Sequence, residues 1–318
     1  MSPSPSGASP RGARTRRVRR VTPRSHWLLT GTLLVAFGTI LFFAAFVNAT
    51  FSPDSAAGVG RQESVPTEIR TGGPIIHTAD GQPRTYALPA KTIALTFDDG
   101  PDPRWTPQIL DTLRRYDVPA TFFVVGTQVA RHPQLTKRIA ADGHELGVHT
   151  FTHPNLAAVP KWRRELEYSQ TQAAIAHAAG VTTALLRFPY SSLPSAIDDL
   201  SWNLALEAGR LGYLTVVNDL DSRDWDRPGV DAIVANVTPP GDEGAVVLLH
   251  DAGGNREQTV AALAEFIPRM QARGYRFTTV SDGLGLALVD AATNGSAAPA
   301  AVLKQSPASA QARRRGLA

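Results

Sequence analysis

The chain has 318 residues, a formal net charge of +4 and no cysteine, which excludes thiol chemistry and disulfide staples. Its basic character belongs to the ends: residues 1–26 hold seven arginines, and Lys304, Arg313, Arg314 and Arg315 lie near the close, with no acid in either stretch. The remaining 21 basic residues are outnumbered by 28 acidic ones, so the body offers no cationic stripe and no nucleic-acid partner is expected.

In chain order, residues 1–26 are rich in Ser, Pro, Gly and Arg without an apolar period, and are read as a disordered cytoplasmic tail. Residues 27–49 carry no charge and would span roughly 34 Å as a helix, enough to cross a bilayer. With arginines before this run and the first acid, Asp54, after it, the expectation is a single-pass signal anchor in the cell membrane. The lipid bilayer is then a partner, and the rest of the chain is extracellular. A cleaved signal peptide is the alternative, but its apolar region is usually only about 7–15 residues. Residues 50–88 hold several Pro and Gly and read as a linker, 89–290 as one folded domain, and 291–318 as a flexible tail rich in Ala, Ser, Asn and Pro.

Within that domain, strand patterns at 92–97, 121–125, 145–149, 184–188, 213–217, 245–249 and 276–280 alternate with helix patterns. The helices are predicted at 106–116, 133–141, 162–179, 198–211, 230–237 and 258–273. This β/α alternation predicts a parallel sheet covered by helices, either a (β/α) barrel or an open doubly wound sheet. No G-x-G-x-x-G follows the first strand, so nucleotide binding lacks its usual sign.

Polar residues gather where strands stop. Asp98 and Asp99 end the first strand on a Gly100-Pro101 turn. Such a pair is often no more than a turn with one acid capping the next helix. Two adjacent carboxylates repel, however, and both stay ionised comfortably only beside a cation. His149 and His153 stand at i, i+4, a spacing that brings two rings to a common point on one helical turn. One acid and two histidines make a three-ligand set for an open catalytic metal site, and the second acid can serve as a base. That combination points to hydrolysis.

Arg187 closes another strand and can hold a carboxylate ionised, unless it forms an ordinary strand-end ion pair. Pro189 stiffens the loop before Tyr190. His250 follows an apolar strand and could be a ligand or a general acid, with an acid such as Asp224 bonded to its ring. Trp225 and Leu248 could form a small apolar wall, though core packing competes for Trp225.

Taken together and in this order, these motifs resemble the polysaccharide deacetylase family, also called the NodB-like domain or carbohydrate esterase family 4. The resemblance covers about residues 91–282, with all five short motifs present. It implies a distorted, incomplete (β/α) barrel and a divalent metal, usually zinc, held by Asp99, His149 and His153. It further implies Asp98 as base, Arg187 orienting it, His250 as acid and Asp224 tuning that histidine. Trp225 and Leu248 would line the acetyl pocket, and the Tyr190 N–H would meet the oxyanion. The implied activity is N-deacetylation of an N-acetylglucosamine polymer in an extracellular or cell-wall polysaccharide. An O-acetyl esterase and a non-catalytic carbohydrate-binding domain are the competing readings. The implied partners are the polysaccharide and a membrane glycosyltransferase, which some relatives carry in the same chain; no second apolar span follows residue 290 here. One departure is Ser191, where the family often has Gly, which disfavours a positive-φ turn at that residue.

Overall fold

A computed structural model of the chain describes residues 23–51, 64–191 and 193–285. The chain divides into two units, Met1–Ser52 and Pro53–Ala318.

The first unit contains helix α1 (Pro23–Phe51). Its Thr32 and Thr39 hydroxyls turn back to donate to the carbonyls of Leu28 and Val35, one turn earlier. The expected single-pass anchor in the cell membrane is corrected here, because among the described residues no helix is long and apolar enough to cross a membrane. Residues 27–43 of α1 include three threonines and two glycines, which lower its apolar character. The predicted tail at 1–26 falls outside the described residues except for its last four positions, which already belong to α1. The predicted tail at 291–318 also lies outside them, as do residues 52–63 of the predicted linker.

The described part of that linker is structured. A short helix α2 (Thr67–Arg70) is followed by strands β1 (Ile75–His77) and β2 (Arg84–Tyr86), which form an antiparallel hairpin. Ile69 and Ile75 are fully buried. The segment therefore contributes to the core of the second unit.

The alternation predicted for the domain is present. It runs β3 (Thr92–Asp98), α3 (Thr106–Arg115), β4 (Thr121–Val124), α4 (Gly126–Arg131), α5 (Pro133–Ala141), β5 (Glu145–Val148), α6 (Lys161–Ala179) and β6 (Leu185–Leu186). It continues with α7 (Asp199–Arg210), β7 (Leu214–Val216), β8 (Leu220–Asp221), α8 (Val230–Asn236), β9 (Ala245–His250), α9 (Glu257–Ala272) and β10 (Arg276–Thr278). Among the described residues these strands form one sheet in the order β2-β1-β7-β6-β5-β4-β3-β9-β8, with β10 beside β3.

All pairings from β3 onward are parallel. The outermost of these parallel strands are β7 and β8, yet only residues 217–219 separate them in the chain. One short segment thus touches both margins, and the sheet is curled into an incomplete barrel rather than laid open. On β3, Ile93, Leu95 and Phe97 join the large core beneath the helices, with Phe97 stacked on Phe122 at 4.9 Å. Ala94 joins a second cluster with Phe123, Val216 and Val246 on the opposite face. The two-residue period of a strand places Thr96 and Asp98 on that second face with Ala94, so an acid is delivered to the interior of the curl.

Candidate active site

Apart from Leu248, which lies within β9, the residues singled out from the sequence sit at or just beyond the carboxyl ends of strands. Asp98 ends β3 and His250 ends β9, and the two are direct cross-strand partners. His149 and Arg187 follow β5 and β6, and Asp224 lies in a short 3₁₀ turn, Asp224–Asp226, after β8. In a parallel barrel this is the rim where strand ends and loops converge on one site.

Asp98 and Asp99 part company for a backbone reason. Asp98 keeps the strand geometry of β3, whereas Asp99 has φ 78°, a left-handed conformation that Asp tolerates better than most side chains. The chain turns there, and the Asp99 carboxylate swings toward the histidines. Its Oδ1 lies 3.2 Å from His153 Nε2 and 3.6 Å from His149 Nε2. The capping alternative fails: the N–H groups of Arg104 and Trp105 at the start of α3 donate to Asp102 instead. Space behind Asp99 is tight, since a Cβ on Gly253 would stand 2.6 Å from its Oδ2.

His149 and His153 meet, but not through a helical turn. The chain between them is a loop after β5, with left-handed residues at Thr150 (φ 65°) and His153 (φ 56°) that bring the ring centroids to 5.0 Å. His149 Nδ1 lies 2.9 Å from the Arg187 carbonyl oxygen, which can only accept. Nδ1 therefore carries a proton, and Nε2 is the ring nitrogen that faces Asp99.

Asp98 is held from the other side. Arg187 is fully buried and donates from one terminal nitrogen to Asp98 Oδ1 at 2.9 Å and to Thr96 Oγ1 at 2.7 Å. Its remaining donors go to the carbonyls of Val216 and Val217, and the guanidinium lies over the Phe123 ring at 4.3 Å. This is a buried pair with its hydrogen bonds met, so removing one partner strands the other. Arg187→Met is expected to lower unfolding stability by about 3–5 kcal/mol, read from denaturant midpoints; a change below about 1 kcal/mol would show the pair to be incidental.

The opposite wall pairs His250 with Asp224. His250 Nδ1 is 2.6 Å from Asp224 Oδ1, and the His250 N–H and the Thr259 hydroxyl donate to Asp224 Oδ2 at 2.9 and 2.8 Å. Arg256 donates to the Asp224 carbonyl. Burial opposes charge on His250, but the hydrogen bond to Asp224 and the charges of Asp224, Asp98 and Asp99 outweigh it and push the ring pKa up to about 9. Burial would likewise raise Asp99, yet hydrogen bonds from both histidines hold it well below the usual carboxylate range.

Several contributors had no signal in the sequence. Thr96, Arg256 and Thr259 act through side chains distant in the chain, and nothing in their spacing marks them. Asp251 is fully buried beside Gly100, where a Cβ would stand 2.1 Å from its Oδ2, and burial raises its carboxyl pKa to about 7. Ser191 is not among the left-handed residues, in keeping with the turn it disfavours; the positive φ lies on Tyr190 (62°), whose exposed ring packs edge-on to His153 at 5.0 Å. Trp225 is 54% exposed, which removes core packing as its role, while Leu248 is buried behind the rim.

Asp99, His149 and His153 present one ligand atom each, all within 4.8 Å of one another. That donor set fits a divalent metal with an open coordination position. Residues 85–211 match the family model described as polysaccharide deacetylase. A peptidoglycan-N-acetylglucosamine deacetylase from Bacillus cereus is 44% identical over 202 residues, covering 62% of this chain and 91% of that one.

The chain belongs to the polysaccharide deacetylase family.

A chitooligosaccharide deacetylase from Rhizobium leguminosarum is 40% identical over 58% of this chain and 88% of its own length. Among solved structures, a peptidoglycan N-acetylglucosamine deacetylase in complex with 4-naphthalen-1-yl-N-oxidanyl-benzamide superposes with a TM-score of 0.56 at 34% identity, covering 62% of this chain and 90% of that one. Like other members of the family, this deacetylase is a metal-dependent hydrolase of carbon–nitrogen bonds and takes a polysaccharide substrate.

Proposed function

We propose that the chain removes N-acetyl groups from N-acetylglucosamine residues of a cell-wall polymer such as peptidoglycan, with zinc as the metal. The observation that carries this reading is the flanking of one ligand cluster by two differently tuned pairs, Asp98–Arg187 and His250–Asp224. Asp99, His149 and His153 would hold the metal. When bound, it would polarise the acetamide carbonyl and acidify a water ligand.

The chain's own groups supply the proton traffic. Asp98, held in place by Arg187, takes a proton from the attacking water as its oxygen adds to the acetyl carbon. The backbone N–H of Tyr190 helps hold the developing oxyanion. His250, charged and fixed by Asp224, gives its proton to the nitrogen as the C–N bond breaks. Acetate and a free amino sugar leave, and the proton on Asp98 returns to solvent. Trp225 and Leu248 would exclude water around the acetyl methyl, one from the rim and one from behind.

Acetate release tests the reading. Purified chain loaded with Zn2+ should liberate acetate from peptidoglycan or N-acetylglucosamine oligomers, lose that activity on chelation and regain it on reloading. O-acetylated xylan serves as the parallel substrate. Activity on xylan alone would replace the amidase reading with an esterase, and no release from any substrate would leave a binding domain.

A further inference from the structure

The loop that carries the two histidine ligands is gripped from two sides. From α4, the N–H groups of Gly126 and Thr127 donate to the carbonyls of Thr150 and Phe151 at 3.0 and 2.9 Å. From α6, Glu167 does the reverse. Its Oε2 accepts from the backbone N–H groups of Phe151 and Thr152, both at 2.7 Å, and its Oε1 accepts from the Thr152 hydroxyl at 2.7 Å. Arg163, one turn before Glu167, donates to the same Oε1 at 2.9 Å. The Glu167 side chain is fully buried. An acid so placed is costly unless its lone pairs are filled, and here the ligand loop fills them.

The loop needs this grip. Thr150 and His153 both hold left-handed backbone conformations, which cost free energy in a non-glycine residue and persist only when the surroundings enforce them. Space is tight as well: a Cβ on Gly126 would stand 2.2 Å from the Phe151 ring. Without Glu167, two backbone N–H groups between the ligands lose their acceptor, and the turn that brings His153 Nε2 to Asp99 loses its anchor.

We propose that Glu167 is a positioning residue for the metal centre: through the Phe151 and Thr152 amides it fixes the backbone that sets His153 against His149 and Asp99. The proposal rests on the metal-centre reading above. It assigns a role to a residue 14 positions beyond the second histidine, on helix α6.

Glu167→Gln keeps the shape but points an NH2 group at donors. Metal affinity is measured on the full-length chain by competition of Zn2+ and Co2+ against a chromophoric chelator, with the visible spectrum of the Co2+ form as a second readout. Affinity should fall at least tenfold, and the Co2+ bands should shift as His153 leaves its position. Glu165→Gln, on an exposed position of the same helix, should change neither. If Glu167→Gln does not fold, Thr152→Val decides: it removes one bond to Glu167 and should weaken affinity roughly fivefold. Parent-like affinity and spectrum in the folded variant overturn the proposal and leave the metal centre standing. A parent chain that takes up no metal overturns both.

Discussion

Asp98→Asn is expected to lower kcat by roughly 10³-fold while metal binding survives. The two adjacent acids make this a sharp experiment, because their roles separate where the backbone does. Asp98 stays on the strand and faces Arg187; Asp99 turns through φ 78° to the histidines. The side-chain amide introduced at position 98 can still accept from Arg187, but the buried guanidinium loses its counter-charge, so a stability loss of up to about 3–5 kcal/mol accompanies the change and a cooperative melt is checked alongside. What disappears is the group proposed to take the proton from water. Asp99→Asn should fail differently, losing metal first and activity in consequence. Acetate-release rates at saturating substrate, with metal content measured on the same samples, distinguish the two. Wild-type turnover by Asp98→Asn would remove Asp98 from the role of base, and loss of metal in that variant would move it into the ligand set.

The sequence made the positions of these acids legible because chemistry concentrates at strand ends, and strand ends are marked by a change of composition. Thr92–Asp98, Ala245–His250 and Pro133–Ala141 are regular apolar or periodic segments, and they form the elements their patterns predict. β1 and β2 were missed because three-residue strands among Pro and Gly show no period, although Ile75 and Ile76 are buried. The histidine spacing suggested a helical turn; the true cause is a loop with two left-handed residues, and side-chain identity carries little information about φ at Thr150 or His153. Glu167, Arg256 and Thr259 escaped for a different reason. Each acts across the fold, and on a helix wheel an inward Glu looks like any surface acid until its partners are in place. The anchor expectation went wrong by treating apolar composition at 27–49 as enough, where among the described residues no helix meets the length and apolarity of a span.

The second large effect concerns the acid side of the reaction. For His250 to protonate the leaving nitrogen, its ring must be charged at the working pH, and Asp224 is what keeps it so. With a pKa raised to about 9 in the folded chain against an ordinary 6.5, the charged form persists across neutral pH and is lost as pH rises through about 9. The stability from this pair follows the same sign: fully present below about 6.5, it declines as pH climbs through 9. Positive charge at the neighbouring ligand cluster would draw the limb down somewhat, because Asp98 and Asp99 contribute to the rise. In Asp224→Asn the hydrogen bond to a carboxylate is gone while burial, which favours the neutral ring, remains. The basic limb of kcat/KM should then move toward pH 6.5 or below. At pH 8 a ring with that pKa is only about 3% charged, so protonation alone costs roughly 30-fold. Loss of ring orientation should bring the total to about 10²–10³-fold. Profiles of kcat/KM from pH 5 to 10 for parent and variant, both checked for a cooperative melt, read the effect directly. A variant slower by a constant factor with an unmoved basic limb would show that Asp224 only orients the ring, and a variant as fast as the parent at pH 8 would take His250 out of the role of acid.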